Sequence, residues 1–188
     1  MSGGGERLEA PPRIREESLM SKISITDVKI RDMEPKDADC VSGFITELNL
    51  FEASLSADRD PSEQAGKDQF DYMCDQIESL GGFCLVAELE EKILGCLFAA
   101  PESMPGFIVK SEYRKYGEIY ELYVAPEARE SGLARKLISE AADRCRKMGF
   151  RQIGLYALAG NRIAIETYKR LGFEHYEVFM RKNIAEDA

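Results

Sequence analysis

The chain has 188 residues, 44% of them hydrophobic and 31% charged, which is the size and composition of a single folded domain. Its 25 Lys and Arg against 34 Asp and Glu give a net charge of −9, which disfavours a nucleic-acid partner. No apolar run approaches the ~20 residues that span a bilayer, and the polar residues 1–20 lack the basic-then-apolar pattern of a signal peptide. We therefore expect a cytoplasmic protein without a membrane partner.

The cysteine and histidine content disfavours a metal site. Five cysteines occur without any Cys-x-x-Cys spacing, and most have apolar neighbours. This pattern predicts buried free thiols in a reducing compartment rather than disulfides or zinc ligands. His175 is the one histidine, which excludes sites that need two imidazoles, and we expect it to be structural.

The first part of the chain predicts an extension, a strand and a helix. Residues 1–21 are expected to be a flexible N-terminal extension, because consecutive glycines, two prolines and mixed charge leave few apolar residues for a core. Residues 22–188 are expected to form one domain, which opens with a short strand pattern within residues 23–30. From Pro35 onward, apolar residues recur at spacings of three and four, which predicts an amphipathic helix. Its apolar positions are Ala38, Val41, Phe44, Ile45 and Leu48.

A second helix and a hairpin are predicted next. Asp60 and Pro61 predict the N-cap and first position of the helix, which ends at Gly81 and Gly82. Its apolar stripe consists of Phe70, Met73, Ile77 and Leu80. Residues 83–89 and 93–100 have strand-like composition and are separated by three charged residues, which predicts an antiparallel hairpin.

The rest of the chain alternates between strand and helix patterns. Residues 116–124 predict a strand, residues 132–148 a helix, and residues 153–157 a further strand. Residues 161–171 predict the next helix, and residues 173–182 a last strand. This order predicts an α/β (α+β) fold, with a mixed sheet that carries helices on its faces.

The turn between the strand at 116–124 and the next helix has features of an anion site. Ser131 and Gly132 stand where the free amides of the helix begin, at the positive end of its dipole. Gly132 allows a bulky anion to approach the backbone, and Arg129 and Arg135 add charge that suits a phosphate. A Ser-Gly turn alone is equally typical of a helix cap, and the chain has no Walker loop and no Gly-x-Gly-x-x-Gly motif.

A second informative segment runs over residues 161–173. Asn161 is a candidate N-cap, and Ala164, Tyr168 and Leu171 share one helical face. This spacing directs Tyr168 inward beside the sheet, where its hydroxyl needs a partner. Tyr168 is therefore either a core tyrosine with a satisfied hydroxyl or a proton donor.

Together the two segments resemble the GCN5-related N-acetyltransferase (GNAT) superfamily, over residues 25–182. The shared pattern is a strand ending in Leu-Tyr-Val-x-Pro-Glu, an Arg-x-x-Gly-x-Gly/Ala turn, and then Asn-x-x-Ala-x-x-x-Tyr-x-x-x-Gly-Phe. Glu130 and Ala134 stand where that family commonly has glycine, and Glu130 adds a carboxylate beside the turn. The resemblance implies the GNAT fold, a mixed, mostly antiparallel central sheet flanked by helices.

The resemblance also implies acetyl-CoA as co-substrate, with no metal. The pyrophosphate would bind to the turn residues Arg129, Glu130, Ser131, Gly132, Leu133 and Ala134. The backbone of Leu122 and Val124 would pair with the pantetheine arm like a neighbouring strand, and Tyr123 between them would also contact the cofactor. Asn161 and Tyr168 would lie near the arm and the sulfur.

Amide formation needs a base for the protonated amine and an acid for the leaving thiolate. The resemblance makes Tyr168 the acid. Glu118 and Glu121 lie three residues apart on the strand at 116–124, which predicts that they point to opposite faces. Glu118 matches the glutamate that some family members use as base and is the preferred candidate. Glu121 is the alternative, as a solvated or substrate-facing carboxylate, and either residue can also be an ordinary surface carboxylate.

The expected function is an N-acetyltransferase that acts on a primary amine, and the alternative is a non-catalytic acyl-CoA sensor on the same fold. The acceptor site is expected among the first two helices, the connection at 51–61 and the last strands. Glu52, Asp58 and Asp60 in that connection favour a cationic acceptor, or else form a solvated loop. Family members often pair through C-terminal strands, and the aromatic residues of 173–180 predict a homodimer.

Overall fold

The computed structural model describes residues 23–184. The extension expected at 1–21 lies outside these residues. The strands are β1 (Lys29–Asp32), β2 (Phe83–Leu89), β3 (Lys92–Ser103), β4 (Lys115–Val124) and β5 (Ile153–Leu155). The α-helices are α1 (Ala38–Ala53), α2 (Glu63–Leu80), α3 (Leu133–Lys147) and α4 (Arg162–Arg170).

The strands form one sheet in the order β1-β2-β3-β4-β5. Neighbouring strands are antiparallel except for β4 and β5, which are parallel. Connections before β4 are therefore hairpins or pass through α1 and α2, whereas α3 makes the crossover that a parallel pair requires. This mixed, mostly antiparallel sheet flanked by helices confirms the predicted fold class.

Each face of the sheet has its own apolar core, because different helices cover the two faces. α3 covers one face, and α4 packs at the edge of that core. α1 and α2 cover the other face. The helical residues buried in these cores are Leu133, Leu137, Ile138, Ala141 and Cys145 of α3, Val41 and Ile45 of α1, and Met73 of α2. The helical spacings seen in the sequence thus correspond to core stripes, except that Leu80, the last residue of α2, is 40% exposed and was wrongly predicted to belong to one.

The start of α2 differs from the prediction. Ser62 is the N-cap, and its hydroxyl accepts a hydrogen bond from the Ala65 amide at 3.2 Å. Asp60 instead accepts one from the Ser62 amide at 2.8 Å, which stabilises the turn before the helix. The prediction that Asp60 is the N-cap is wrong, and the helix begins two residues later. Aspartate and serine are both favoured N-cap residues, so the sequence did not distinguish Asp60 from Ser62.

The predicted last strand at 173–182 is also wrong, since the segment forms no strand. Apart from Phe173, its apolar side chains are exposed, with exposed fractions of 78% for Val178 and 85% for Met180. Alternation produces a strand only where a neighbouring strand supplies partners, and β5, the edge strand that precedes this segment in the chain, is only three residues long. Arg181 instead forms an ion pair with Asp58 in the connection between α1 and α2.

The cysteines are all free thiols. Cys84, Cys96 and Cys145 are buried as predicted, whereas Cys40 is exposed. Burial raises the pKa of the Cys145 thiol, so it is protonated and inert at neutral pH. Among residues 23–184, no helix is both long and apolar enough to cross a membrane, and no three His, Cys, Asp or Glu side chains are grouped as metal ligands.

Candidate active site

A small cavity lies where β4 and β5 diverge. The two strands pair only from Gly117 to Ile119 of β4, and β4 then continues to Val124 beyond the end of β5. The cavity has a volume of about 90 Å³. Its lining includes Leu48 and Glu52 of α1, Tyr120, Glu121 and Leu122 of β4, Tyr156 and Ala157 after β5, and Asn161 and Tyr168 at α4.

A β-bulge in β4 determines which side chains face this cavity. Two consecutive residues of β3 pair with Glu121 and Ile119, so Tyr120 is the inserted residue. Ile119 packs towards α3, whereas Tyr120 packs towards α1 and α2. The bulge therefore places Glu118 and Glu121 on the same face. The prediction of opposite faces is wrong, because simple alternation holds only in a strand without an inserted residue.

Glu121 is a partly buried carboxyl that lines the cavity. Nε2 of Gln69, in α2, donates a hydrogen bond to its Oε1 at 2.6 Å. Burial raises the pKa of Glu121 to about 8, and the Glu52 carboxylate adds to this, while the Gln69 hydrogen bond and the Arg59 charge lower it. A carboxyl with this pKa can accept or release a proton near neutral pH.

Glu118 belongs to a neighbouring network outside the cavity lining. The Tyr116 hydroxyl donates to its Oε2 at 2.7 Å, and the Tyr120 hydroxyl donates to Glu102 Oε1 at 2.8 Å. Burial raises the pKa of Glu118, the Tyr116 hydrogen bond lowers it, and the Glu102 charge raises it. Two carboxyls and two tyrosines thus share this part of the sheet.

Tyr168 extends from α4 into the same cavity as Glu121. Its ring contacts that of Phe173 edge to face, with 5.8 Å between centroids. Burial raises the pKa of Tyr168 to about 12, with smaller contributions from Glu121 and Glu52, so the hydroxyl keeps its proton at neutral pH. Within the described part of the chain, this hydroxyl forms no hydrogen bond, unlike the satisfied hydroxyl of a core tyrosine.

The predicted anion turn precedes α3 as expected. Gly132 is the N-cap residue with a φ of 92°, and a Cβ there would meet no atom within 4 Å. No side chain caps this helix, so the amides of Leu133 and Ala134 are open to an anion. Glu130 also has a left-handed backbone, with a φ of 62°, which explains why glycine suits that position in related sequences.

The other turn residues are arranged around these amides. The Ser131 hydroxyl donates to the Ala128 carbonyl at 2.6 Å, so it stabilises the turn itself. Arg129 is exposed, and its Nε donates to the Val124 carbonyl at 3.2 Å, which holds its guanidinium beside the end of β4. Open amides, an unobstructed backbone at Gly132 and a nearby guanidinium fit a diphosphate.

Asn161, Leu122 and Tyr123 were also predicted as cofactor contacts. Asn161 is confirmed as the N-cap of α4, where its Oδ1 accepts a hydrogen bond from the Ala164 amide at 3.1 Å. Asn161 and Leu122 line the cavity. The Tyr123 side chain instead stacks on Phe44, with 4.5 Å between ring centroids, and does not line the cavity.

The three acidic residues of the α1 region have different environments. Glu52 lines the cavity and lies 3.5 Å from the Arg59 guanidinium. Asp58 is paired with Arg181, which holds the pKa of that carboxyl well below its usual range. Asp60 accepts a hydrogen bond from the Ser62 amide. Only Glu52 of these three faces the candidate reaction centre.

Sequence reasoning missed Gln69 as a site residue. It lies four residues before Met73, on the inward face of α2 beside Phe70. A polar side chain on a buried stripe needs a hydrogen-bond partner, and this was the available signal. The partner itself could not be found from sequence, because Glu121 lies 52 residues away.

Comparison with known proteins assigns the chain to a family. Residues 49–173 match the acetyltransferase (GNAT) family, and this protein belongs to it. An uncharacterized N-acetyltransferase of Methanocaldococcus jannaschii is 42% identical over 72 residues, which are 38% of this chain and 32% of that protein. A mycothiol acetyltransferase of Renibacterium salmoninarum is 26% identical over 152 residues, which are 81% of this chain and 42% of that protein. The chain spans less than half the length of these relatives.

Solved structures share the fold. A predicted acetyltransferase from Clostridium acetobutylicum, determined with acetyl-CoA, matches with a TM-score of 0.63 and 19% sequence identity. The match covers 84% of this chain and 96% of that structure. At this identity the similarity concerns the fold alone, a mostly antiparallel open sheet flanked by helices.

Proposed function

We propose that this protein is an N-acetyltransferase that moves an acetyl group from acetyl-CoA to a primary amine by direct attack. The observation that carries the proposal is the cavity between β4 and β5, where the Glu121 carboxyl and the Tyr168 hydroxyl line the same space. One group can take the proton of the ammonium before attack and the other can protonate the leaving sulfur, two of the proton transfers that amide formation requires.

The residues at the start of α3 fit the binding of CoA. The open amides of Leu133 and Ala134, with Gly132 and Arg129, would hold the diphosphate. The uncovered edge of β4 from Leu122 to Val124 would pair with the pantetheine arm. When bound, acetyl-CoA supplies an acetyl thioester, which is the activated acyl group for the reaction.

Proton transfer in this proposal uses the two side chains of the cavity. Glu121 takes the proton of the incoming ammonium on a carboxylate oxygen, and its pKa of about 8 makes it a better match for an amine than an ordinary carboxylate. Glu121 then releases this proton to solvent. The nitrogen loses a second proton after the attack and the leaving sulfur gains one, and both transfers use Tyr168: its hydroxyl proton goes to the sulfur, and its oxygen takes the second proton of the nitrogen. The Tyr168 pKa of about 12 ensures that the hydroxyl proton is present at neutral pH.

Glu118 remains the second candidate for the base. It matches the family's glutamate and lies on the same face as Glu121, with Tyr116 holding one of its oxygens. Glu118→Gln and Glu121→Gln have the same change in size and charge, so comparing their acetylation rates separates the roles. We expect Glu121→Gln to lower kcat by ~10²–10⁴ and Glu118→Gln to have the smaller effect. The reverse order would make Glu118 the base.

The acceptor is proposed to be a small cationic amine or a peptide amine. Glu52 and Glu121 face the cavity, and Arg59 is the one cation within 4 Å of either carboxylate in residues 23–184. The relatives named mycothiol acetyltransferase indicate an acetyltransferase rather than a sensor. Release of the CoA thiol in the presence of a panel of amines tests the proposal. CoA binding without thiol release from any amine would favour the sensor alternative.

A homodimer and a cytoplasmic location complete the proposal. The exposed apolar side chains Tyr176, Val178, Phe179 and Met180 support the homodimer, since a second copy would cover them. The free cysteines support a reducing compartment such as the cytoplasm.

A further inference from the structure

We propose that Gln69 is a positioning residue for catalysis, through the hydrogen bond by which its side-chain amide holds the Glu121 carboxyl. The inference rests on the proposed function, in which Glu121 takes the proton of the amine. Gln69 would be the contribution of α2 to the reaction centre, which it reaches only through Glu121, because no residue of α2 lines the cavity itself.

The geometry fixes one oxygen of Glu121 and leaves the other available. Nε2 of Gln69 donates to Oε1 at 2.6 Å, so Oε2 is the oxygen that can receive the amine proton. The adjacent residue Phe70 contacts Phe98 edge to face, with 6.1 Å between ring centroids. Phe98 pairs with Glu121 across the sheet. The helix turn that carries Gln69 is therefore packed directly over the strand position that carries the carboxyl.

A neutral amide suits this role better than a cation. A lysine or arginine at Gln69 would form an ion pair with Glu121 and compete with an ammonium substrate for the carboxylate. A glutamine side chain instead stabilises the ionised carboxylate by one hydrogen bond and adds no charge. Gln69 therefore orients the carboxylate while the negative charge remains available to the substrate.

Several other groups act on the same carboxyl from the surrounding elements. Glu52 of α1 opposes its ionisation, and Arg59 of the following connection favours it. Tyr168 of α4 and Cys96 of β3 also lie within electrostatic range. These groups stay constant when Gln69 alone is changed, so a change in the titration of Glu121 reports the hydrogen bond.

The test uses two substitutions at Gln69 with opposite expected signs. Gln69→Met keeps the length of the side chain but removes the donor, and Gln69→Lys restores a donor with positive charge. The acidic limb of kcat/KM plotted against pH should shift to higher pH by about one unit in Gln69→Met, because the ionised Glu121 loses a hydrogen bond. It should shift to lower pH in Gln69→Lys. Gln64→Leu is the matched control, because Gln64 donates to Asp68 at 2.7 Å on the exposed face of the same helix.

A second readout does not depend on activity. In protein with ¹³C-labelled glutamate carboxyl groups, the Glu121 resonance is assigned by its absence in Glu121→Gln. The pH at the midpoint of its titration should rise in Gln69→Met and fall in Gln69→Lys, and it should stay at the parental value in Gln64→Leu. If both Gln69 variants keep the parental titration midpoint of Glu121 and the parental pH profile of kcat/KM, the inference is overturned.

The outcomes also separate this inference from the proposed function. If Glu121→Gln is inactive and Gln69→Met has the parental profile and carboxyl midpoint, Glu121 is the base and the role of Gln69 is wrong. If Glu121→Gln acetylates amines at the parental rate, both the proposed base and the role of Gln69 are wrong.

Discussion

At the scale of single residues, ionisation of Glu121 is coupled to folding, since its pKa of about 8 lies above the ordinary value of 4.5. Its folded form binds the proton more tightly than its unfolded form. Its contribution to stability is therefore complete below about pH 4.5 and is lost as the pH rises through about 8.

Glu121→Gln should remove this pH dependence, because glutamine stays neutral. We expect the free energy of unfolding of the variant, relative to the parent, to increase by about 2–4 kcal/mol between about pH 5 and pH 9. Urea denaturation of both proteins over this range measures the difference, in which the other titrating groups cancel. A difference that is constant with pH would show that the carboxyl titrates normally.

Tyr168 gives a second prediction at this scale. Tyr168→Phe keeps the ring contact with Phe173 and removes only the hydroxyl. If Tyr168 is the general acid, kcat should fall by ~10²–10⁴ while CoA affinity and Tm hardly change. Steady-state kinetics and thermal unfolding of the same preparation measure both properties.

The exposed Tyr176 provides a matched control, because Tyr176→Phe makes the same change outside the cavity. This control should retain parental activity. A purely structural hydroxyl at Tyr168 would give the opposite result, a loss of ~1 kcal/mol in stability with kcat nearly intact. That result would remove Tyr168 from the mechanism.

At the scale of secondary-structure elements, the N-terminus of α3 is the part that should bind the cofactor. Gly132→Asp places a carboxylate against the amides that would hold the diphosphate. We expect CoA affinity, measured by calorimetry, to fall about 10–100-fold, since the carboxylate repels the anion and caps the amides itself.

Two controls separate charge from backbone strain. Gly132→Asn has the same size without charge, and Gly149→Asp introduces the same residue at the other end of α3, where φ is also left-handed at 87°. Gly149→Asp should bind CoA like the parent. Parental affinity in a folded Gly132→Asp variant would mean that the diphosphate does not bind at this turn.

The sequence allowed most elements to be predicted, because their signals are local. The apolar spacing of α1 and α3, the hairpin of β2 and β3, and the Asn161 cap each depend on residues within a few positions of one another. The bulge at Tyr120 and the Gln69 contact depend on pairing with distant segments, which no local pattern encodes. The faces of Glu118 and Glu121 were therefore predicted wrongly, although both residues were found.

At the scale of the whole molecule, residues 174–184 are the least packed part of the described chain. Tyr176, Val178 and Met180 alternate along this segment and are exposed by 70% or more. We expect a homodimer in which a second copy covers these side chains. Val178→Lys together with Met180→Lys should therefore increase the fraction of monomer, as measured by light scattering over a range of concentrations. A monomer mass for the parent at high concentration would contradict this expectation.

The central claim is that the cavity between β4 and β5 transfers an acetyl group to an amine. Incubation with acetyl-CoA labelled in its acetyl group and a panel of amines, followed by mass spectrometry of the amines, tests it most directly. We expect labelled acetyl on at least one cationic amine with the parent, and a rate lower by ~10²–10⁴ with Tyr168→Phe. The claim would be contradicted if the protein binds CoA but labels no amine of the panel. It would also be contradicted if the parent and Tyr168→Phe label the amines at equal rates.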